Sequence, residues 1–247
     1  LPIYRYILKT DPVLDRTGKD AGILCAGSCD FLYSEKQNIQ GLKGMKYDYA
    51  EYQKKLKKYL DKGRYHHTIG VMYTSAALAM AHEYSLDKAI LAGLLHDCAK
   101  CIPNKKKLKL CEKKGIMLSP VEKENPFLIH AKLGVYIARE KYGVEDREIL
   151  SAIRWHTTGK EDMSVLEKIV YIADYIEPER DKAPNLERVR KTAFFDLDEC
   201  MYYILKDSVG YLKKSAKVMD SQTEKAFLFY KALHLERKQK EAKADDK

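Results

Sequence analysis

The stretch Leu91-Ala92-Gly93-Leu94-Leu95-His96-Asp97-Cys98-Ala99-Lys100 ends an apolar, helix-spaced run on an imidazole followed at once by a carboxylate. Burying an ionisable group alone costs several kcal/mol, so a core helix that ends on two of them needs a metal or matched neighbours. Two other segments break the same rule. Asp174 sits among Ile169, Val170, Ile172 and Ala173, and in Arg64-Tyr65-His66-His67-Thr68-Ile69-Gly70-Val71 an imidazole, His67, shares a stripe with Val71, Thr74 and Leu78. A His-Asp dipeptide alone decides little, since chance supplies one in about half of chains with this composition. Order decides more. His67, His96-Asp97, His130, His156 and Asp174 follow one another on separate helical segments beside apolar residues, as a metal site in the core of a helical bundle requires. Consecutive side chains on a helix point about 100° apart, so His96 and Asp97 share an ion only at a frayed or widened helix end, or with Asp97 bridging two ions.

Around these segments lies a chain of 247 residues, 45% hydrophobic and 33% charged, large enough to build its own core. Its six cysteines are therefore expected to be reduced thiols rather than a disulfide framework. No run approaches the ~18–20 apolar residues of a membrane span. Acidic and basic residues occupy the N-terminal stretch where a secretory signal would be apolar, so the expected location is the cytoplasm. The net charge of +9 is spread along the chain and suits anionic partners such as nucleotides, nucleic acid or ribosomes.

Glycine density divides the chain. Five of thirteen glycines fall in residues 1–44, which lack periodicity and read as an appendage, a fusion remnant or upstream translation before Met45. From there to residue 235 the spacing is helical almost throughout, with segments near 87–97, 146–155, 165–176, 197–212 and 223–235, and Gly159 and Pro178 as stops. The reading is an all-α bundle of about ten helices over 45–235, followed by a charged tail, 236–247, expected to fray.

The ordered motifs resemble those of HD-domain phosphohydrolases, and more narrowly the YqeK-type symmetrical bis(5'-nucleosyl)-tetraphosphatases. The resemblance is carried by Arg64-Tyr-His-His67-Thr, Leu95-His96-Asp97-Cys-Ala-Lys100, His156-Thr157-Thr158-Gly159-Lys160 and Ala173-Asp174-Tyr-Ile-Glu177-Pro178-Glu-Arg180. It implies an iron-dependent hydrolase that splits diadenosine tetraphosphate symmetrically into two ADP. His67, His96, Asp97 and Asp174 would then hold iron, with His130 and His156 completing a second metal site or touching phosphate. Lys100, Thr157, Glu177 and Arg180 would line the nucleotide site. Thr223, in the loosely matching Asp220-Ser-Gln-Thr223 where the family usually has a His-Pro pair, would make the nucleotide contact on the base side. Residues 1–44 match nothing in the family.

The chemistry agrees. Phosphoanhydride cleavage needs an activated water and charge neutralisation, and little covalent work from the protein. Imidazole and carboxylate donors without thiolate suit iron or manganese better than structural zinc. Lys100, one turn after His96, can reach a phosphate held there. Arg180 can clamp another. Protonated His130 or His156 would suit a leaving-group acid. Plainer roles are also open: His130 as a helix opener after Pro126, His156 as a helix C-cap, and the lysine run after Asn104 as a solvated face rather than a nucleic-acid patch. Cys98 and Cys101 have redox-like spacing without a βαβ context, and Cys25 and Cys29 make a poor zinc pair. Of the eighteen tyrosines, most are expected in packing and some are available to stack on a base. An HD phosphohydrolase for another nucleotide, a basic RNA- or ribosome-binding module with a structural metal, and a homodimer are all compatible with these residues.

Overall fold

A computed structural model of the chain describes residues 47–215 and 219–245. The appendage expectation for 1–44, Met45, and the pair Cys25 and Cys29 lie outside the described residues. Among those described, eleven α-helices and no strand are present.

Helices α1 (Tyr49–Tyr59), α2 (Lys62–Ala81), α3 (Leu86–Leu95) and α4 (Asn104–Lys113) lead into the short α5 (Pro120–Glu124) and a 3-10 turn, Pro126–Ile129. Then come α6 (His130–Tyr142), α7 (Arg147–Trp155), α8 (Val165–Ile176), α9 (Leu186–Ala193), α10 (Leu197–Lys214) and α11 (Ser221–Asp245). The boundaries follow local chemistry. Asp61 and Ser85 accept hydrogen bonds from the first turns of α2 and α3, and Ser164 with Glu167 forms a reciprocal capping box that starts α8. Gly143, at φ +66°, closes α6 in the left-handed conformation that glycine adopts without penalty.

The centre of the bundle is α2 packed on α3 and α8, with α7 bridging α3, α6 and α8; α10 covers α8 and α11 lies along α10. Leu78, Leu94, Leu95, Ile169 and Ile172 are fully buried there. Truncating such a leucine or isoleucine to alanine costs about 2–5 kcal/mol. The approach of α2 to α3 depends on Gly93, where a Cβ would lie 2.7 Å from Ser75 Oγ and 3.1 Å from the Met72 backbone. The charged stretch from 236 does not fray as expected but continues α11 to Asp245. Arg237 holds it down, donating 2.7 and 2.8 Å hydrogen bonds to Asp196 and Asp198.

Candidate active site and metal centre

Three histidines of the site stand where a helix or turn ends, and each uses the same device. His96 follows α3, His156 follows α7 and His130 follows the 3-10 turn. In each, Nδ1 meets the carbonyl three residues back: Gly93 at 2.7 Å, Ile153 at 2.7 Å and Phe127 at 2.6 Å. The ring thereby satisfies a carbonyl that the helix end leaves free, and its Nε2 is turned inward. His67, inside α2, does this with a side chain instead, donating from Nδ1 to Glu177 Oε1 at 3.1 Å. Gly70 makes room for it, since a Cβ there would lie 2.7 Å from Glu177 Oε2.

Four Nε2 atoms converge on two carboxylates. His67 Nε2 lies 3.0 Å from Asp174 Oδ1 and 4.0 Å from Asp97 Oδ2, and His96 Nε2 lies 3.5 Å from Asp97 Oδ2 and 4.0 Å from Asp174 Oδ1. On the other side, Asp97 Oδ1 faces His130 Nε2 at 3.2 Å and His156 Nε2 at 3.5 Å. The carboxylate of Asp97 thus divides its two oxygens between two halves of one cluster. The helix ends at Leu95, which meets the first of the conditions for His96 and Asp97 to share an ion.

The cluster fits a metal on its own chemistry. His67 Nε2, His96 Nε2 and Asp97 Oδ1 are buried and complete no hydrogen bond, an expensive state for protein alone. Three groups of ligand atoms, His67/His96/Asp97, His96/His156/Asp174 and Asp97/His130/His156, each lie within 4.8 Å of one another. The 3.0–4.0 Å separations between the histidine nitrogens and the carboxylate oxygens suit donors that share an ion with bonds of about 2.1 Å. Burial opposes ionisation of Asp97, but His96, His130 and His156 outweigh it and hold its carboxyl well below the ordinary range. Asp174 is likewise depressed, burial being overcome by His67 and His96. Burial pushes the His130 imidazolium down to about 4, with Asp97 opposing and Lys100 assisting, so His130 is neutral at pH 7. A neutral imidazole is the form that can serve as a metal ligand.

Above the cluster opens a cleft of about 550 Å³, with Arg64, His67, Asp174 and Arg180 among its walls. Arg64 Nη1 donates to Asp97 Oδ2 and Arg180 Nη2 to Asp174 Oδ1, both at 2.8 Å. Lys100 Nζ is 3.1 Å from His130 Nε2 and 3.6 Å from Asp97 Oδ1. Thr157 Oγ1 lies 3.0 and 3.1 Å from the Nε2 atoms of His156 and His130.

Residues 64–179 match the HD domain family. The chain is 40% identical over 159 residues to the symmetrical bis(5'-nucleosyl)-tetraphosphatase of Bacillus subtilis, covering 64% of this chain and 84% of that protein. It is 33% identical over 158 residues to the Staphylococcus aureus protein of the same name, covering 63% and 80%. The chain belongs to the symmetrical bis(5'-nucleosyl)-tetraphosphatase family of HD-domain proteins. A crystal structure of a predicted HD superfamily hydrolase involved in NAD metabolism from Clostridium acetobutylicum shares the fold, at TM-score 0.72 and 34% identity, over 75% of this chain and 98% of that one.

Within this tetraphosphatase framework the structure sorts the residues picked from sequence. His67, His96, Asp97, His130, His156 and Asp174 meet in one cluster that could hold metal, with Lys100 and Thr157 against it. Glu177, expected to line the nucleotide site, is among the cleft-lining residues, and its carboxylate also orients the His67 ring and accepts from the Glu179 N–H at 2.8 Å. Arg180 is at the cleft as expected but already engages Asp174. Thr223 is not brought there: it is buried in the first turn of α11 and is not among the cleft-lining residues. Arg64 was read only as a neighbour of His67, although the i, i+3 spacing to His67 puts both on one helix face.

The lysine run is not uniformly solvated. Lys107 is 3% exposed on α4 beside buried Cys111, its ammonium pushed down by burial and by Lys100. The sulfurs take no part: Cys98 Sγ donates to the Gly134 carbonyl and Cys101 Sγ to Asp61.

Proposed function

We propose that the chain is a metal-dependent hydrolase that cleaves dinucleoside tetraphosphates, diadenosine tetraphosphate among them, symmetrically into two nucleoside diphosphates. The observation that carries this reading is the divided cluster itself, six donor side chains under a cleft whose walls include Arg64, Lys100 and Arg180, in a chain of the tetraphosphatase family. Four imidazoles and two carboxylates without thiolate suit iron, manganese or another borderline ion, and iron is the one the family resemblance implies. One ion belongs with His67, His96, Asp97 and Asp174, and a second has donors in His130 and His156. Reduced cysteines among the described residues, Cys98, Cys101, Cys111 and Cys200, fit a cytoplasmic setting. No helix among the described residues is long and apolar enough to cross a membrane.

When bound, the metal would polarise a phosphoryl oxygen and lower the pKa of a water to the range useful at neutral pH. The chain's own residues do the rest. Asp97 keeps its carboxylate ionised and shares it between the two halves, which fixes their separation. Arg64 and Arg180, each now on a carboxylate, are the guanidinium groups placed to receive phosphate oxygens. Lys100 adds a point charge on the His130 side, and Thr157 offers its hydroxyl there as a hydrogen-bond partner. A departing nucleoside diphosphate leaves as a phosphate anion, whose last proton has a pKa of about 6, so a dedicated protein acid is unnecessary.

The test is product analysis on anaerobically purified protein given diadenosine tetraphosphate, with metal content determined on the same sample. Two ADP with bound iron is the expected result. AMP plus ATP would overturn the symmetrical cut, and no turnover with a full metal site would move the substrate to another nucleotide.

A further inference from the structure

The cleft has an end that the cluster does not use. On α8, Tyr171, Asp174 and Tyr175 stand three and four residues apart and all line the cleft, so the helix face that presents a metal-cluster carboxylate also presents two aromatic rings. Tyr171 is buried, and Ser208 of α10 also lines the cleft. Tyr175 is half-buried against the core. Lys182 lines the cleft beside them.

These residues ask for a different chemistry from the cations. Phosphate has no use for an aromatic face, whose quadrupole is negative, whereas a nucleobase stacks on one. We propose that Tyr175 is the platform for one nucleobase of the substrate, with Ser208 at the edge of that base and Arg180 and Lys182 on the phosphates that run from it to the cluster. The proposal rests on the nucleotide-hydrolase reading above. It moves the nucleoside contact from Thr223 on α11 to the facing walls of α8 and α10. Stacking accepts any base, so this site is tolerant: adenine and guanine diphosphates bind within a few-fold of each other.

The experiment is calorimetric titration of the metal-loaded full chain with ADP, GDP and inorganic pyrophosphate, joined to KM and kcat for diadenosine tetraphosphate. Tyr175→Ala is expected to weaken ADP at least fivefold and to raise KM similarly, while pyrophosphate affinity changes less than twofold. Loss of one base stack, about 1–3 kcal/mol, corresponds to roughly 5- to 150-fold. Tyr175→Phe keeps the ring and restores ADP binding; Tyr175→Leu keeps the apolar bulk without the ring and does not, which covers an alanine variant that fails to fold. Equal losses for ADP and pyrophosphate, or unchanged ADP binding in the leucine variant, would overturn the platform. Wild-type protein that binds ADP in this manner but leaves diadenosine tetraphosphate intact would sink the proposed activity and spare the platform.

Discussion

Where α10 meets α11, His234 donates from Nδ1 to Glu199 Oε2 at 2.7 Å, its ring stacks on Tyr202 at 4.1 Å, and Arg237 spans Asp196 and Asp198. Beneath the cleft, histidines and carboxylates are equally close, but there Nδ1 is spent on a carbonyl or on Glu177 and the Nε2 atoms are aimed at one another's neighbours. The first cluster is a clasp whose charges answer each other. The second leaves buried His67 Nε2, His96 Nε2 and Asp97 Oδ1 without a hydrogen bond. Proximity of histidine to acid therefore marks nothing by itself; converging lone pairs that the protein declines to satisfy mark a site.

The largest test of that difference is Asp97→Ala, which removes the carboxylate common to both halves. Turnover is expected to fall by at least about a thousandfold with loss of bound metal by elemental analysis, and full metal occupancy would refute the shared role. Next is Glu177→Gln, which keeps the shape of the side chain but weakens the carboxylate behind His67. Metal affinity should drop about 10- to 100-fold in a chelator competition, with the fold unchanged by circular dichroism. His130→Ala sharpens the division: metal on the His67 side should persist while turnover falls by more than about tenfold, and loss of all metal would show the halves to be one.

The smallest effect belongs to the clasp. Arg237→Ala should cost less than about 1 kcal/mol in a denaturant melt at pH 7, after allowance for solvent screening, and should leave metal content alone. Its pH dependence has a definite sign. Burial opposes ionisation of Asp196 and Glu199, but their hydrogen bonds outweigh it: the Glu199 N–H and Arg237 for Asp196, and Tyr203 and His234 for Glu199. Both carboxyls therefore sit below their ordinary 3.8 and 4.5. Their contribution is present above those values and is lost as pH falls through the lower folded ones. The penalty of Arg237→Ala should accordingly shrink in acid.

Much of this was legible in the chain. Apolar spacing gave the helices of the core because burial imposes the same 3.6-residue period on sequence and structure, and α8 falls at 165–176 as read. His67, Asp97 and Asp174 stood out because charged side chains on an apolar stripe need an explanation. Ring orientation did not, since it depends on which carbonyl each helix end leaves free. The contact of Glu177 with His67 was hidden for a related reason: its route runs through space vacated by Gly70, between residues far apart in the chain. Lys107 was hidden within a lysine run whose neighbours are exposed, and only the packing of α4 separates it from them. The helical tail after 236 was lost to its charge, because the partners of Arg237 lie on another helix.

The ligand set also has a length along the chain. Its members stand between positions 67 and 174 and come from five separate helical stretches. An ion gripped by them acts as a crosslink, closing the polymer into loops that the unfolded chain must otherwise search for unaided. Because the ion favours the folded chain over the unfolded one, each tenfold rise in free metal above its dissociation constant adds about 1.4 kcal/mol. Chelation should therefore lower the melting temperature of the whole domain and expose it to protease, making metal supply a control on how much folded protein persists as well as on how fast it works.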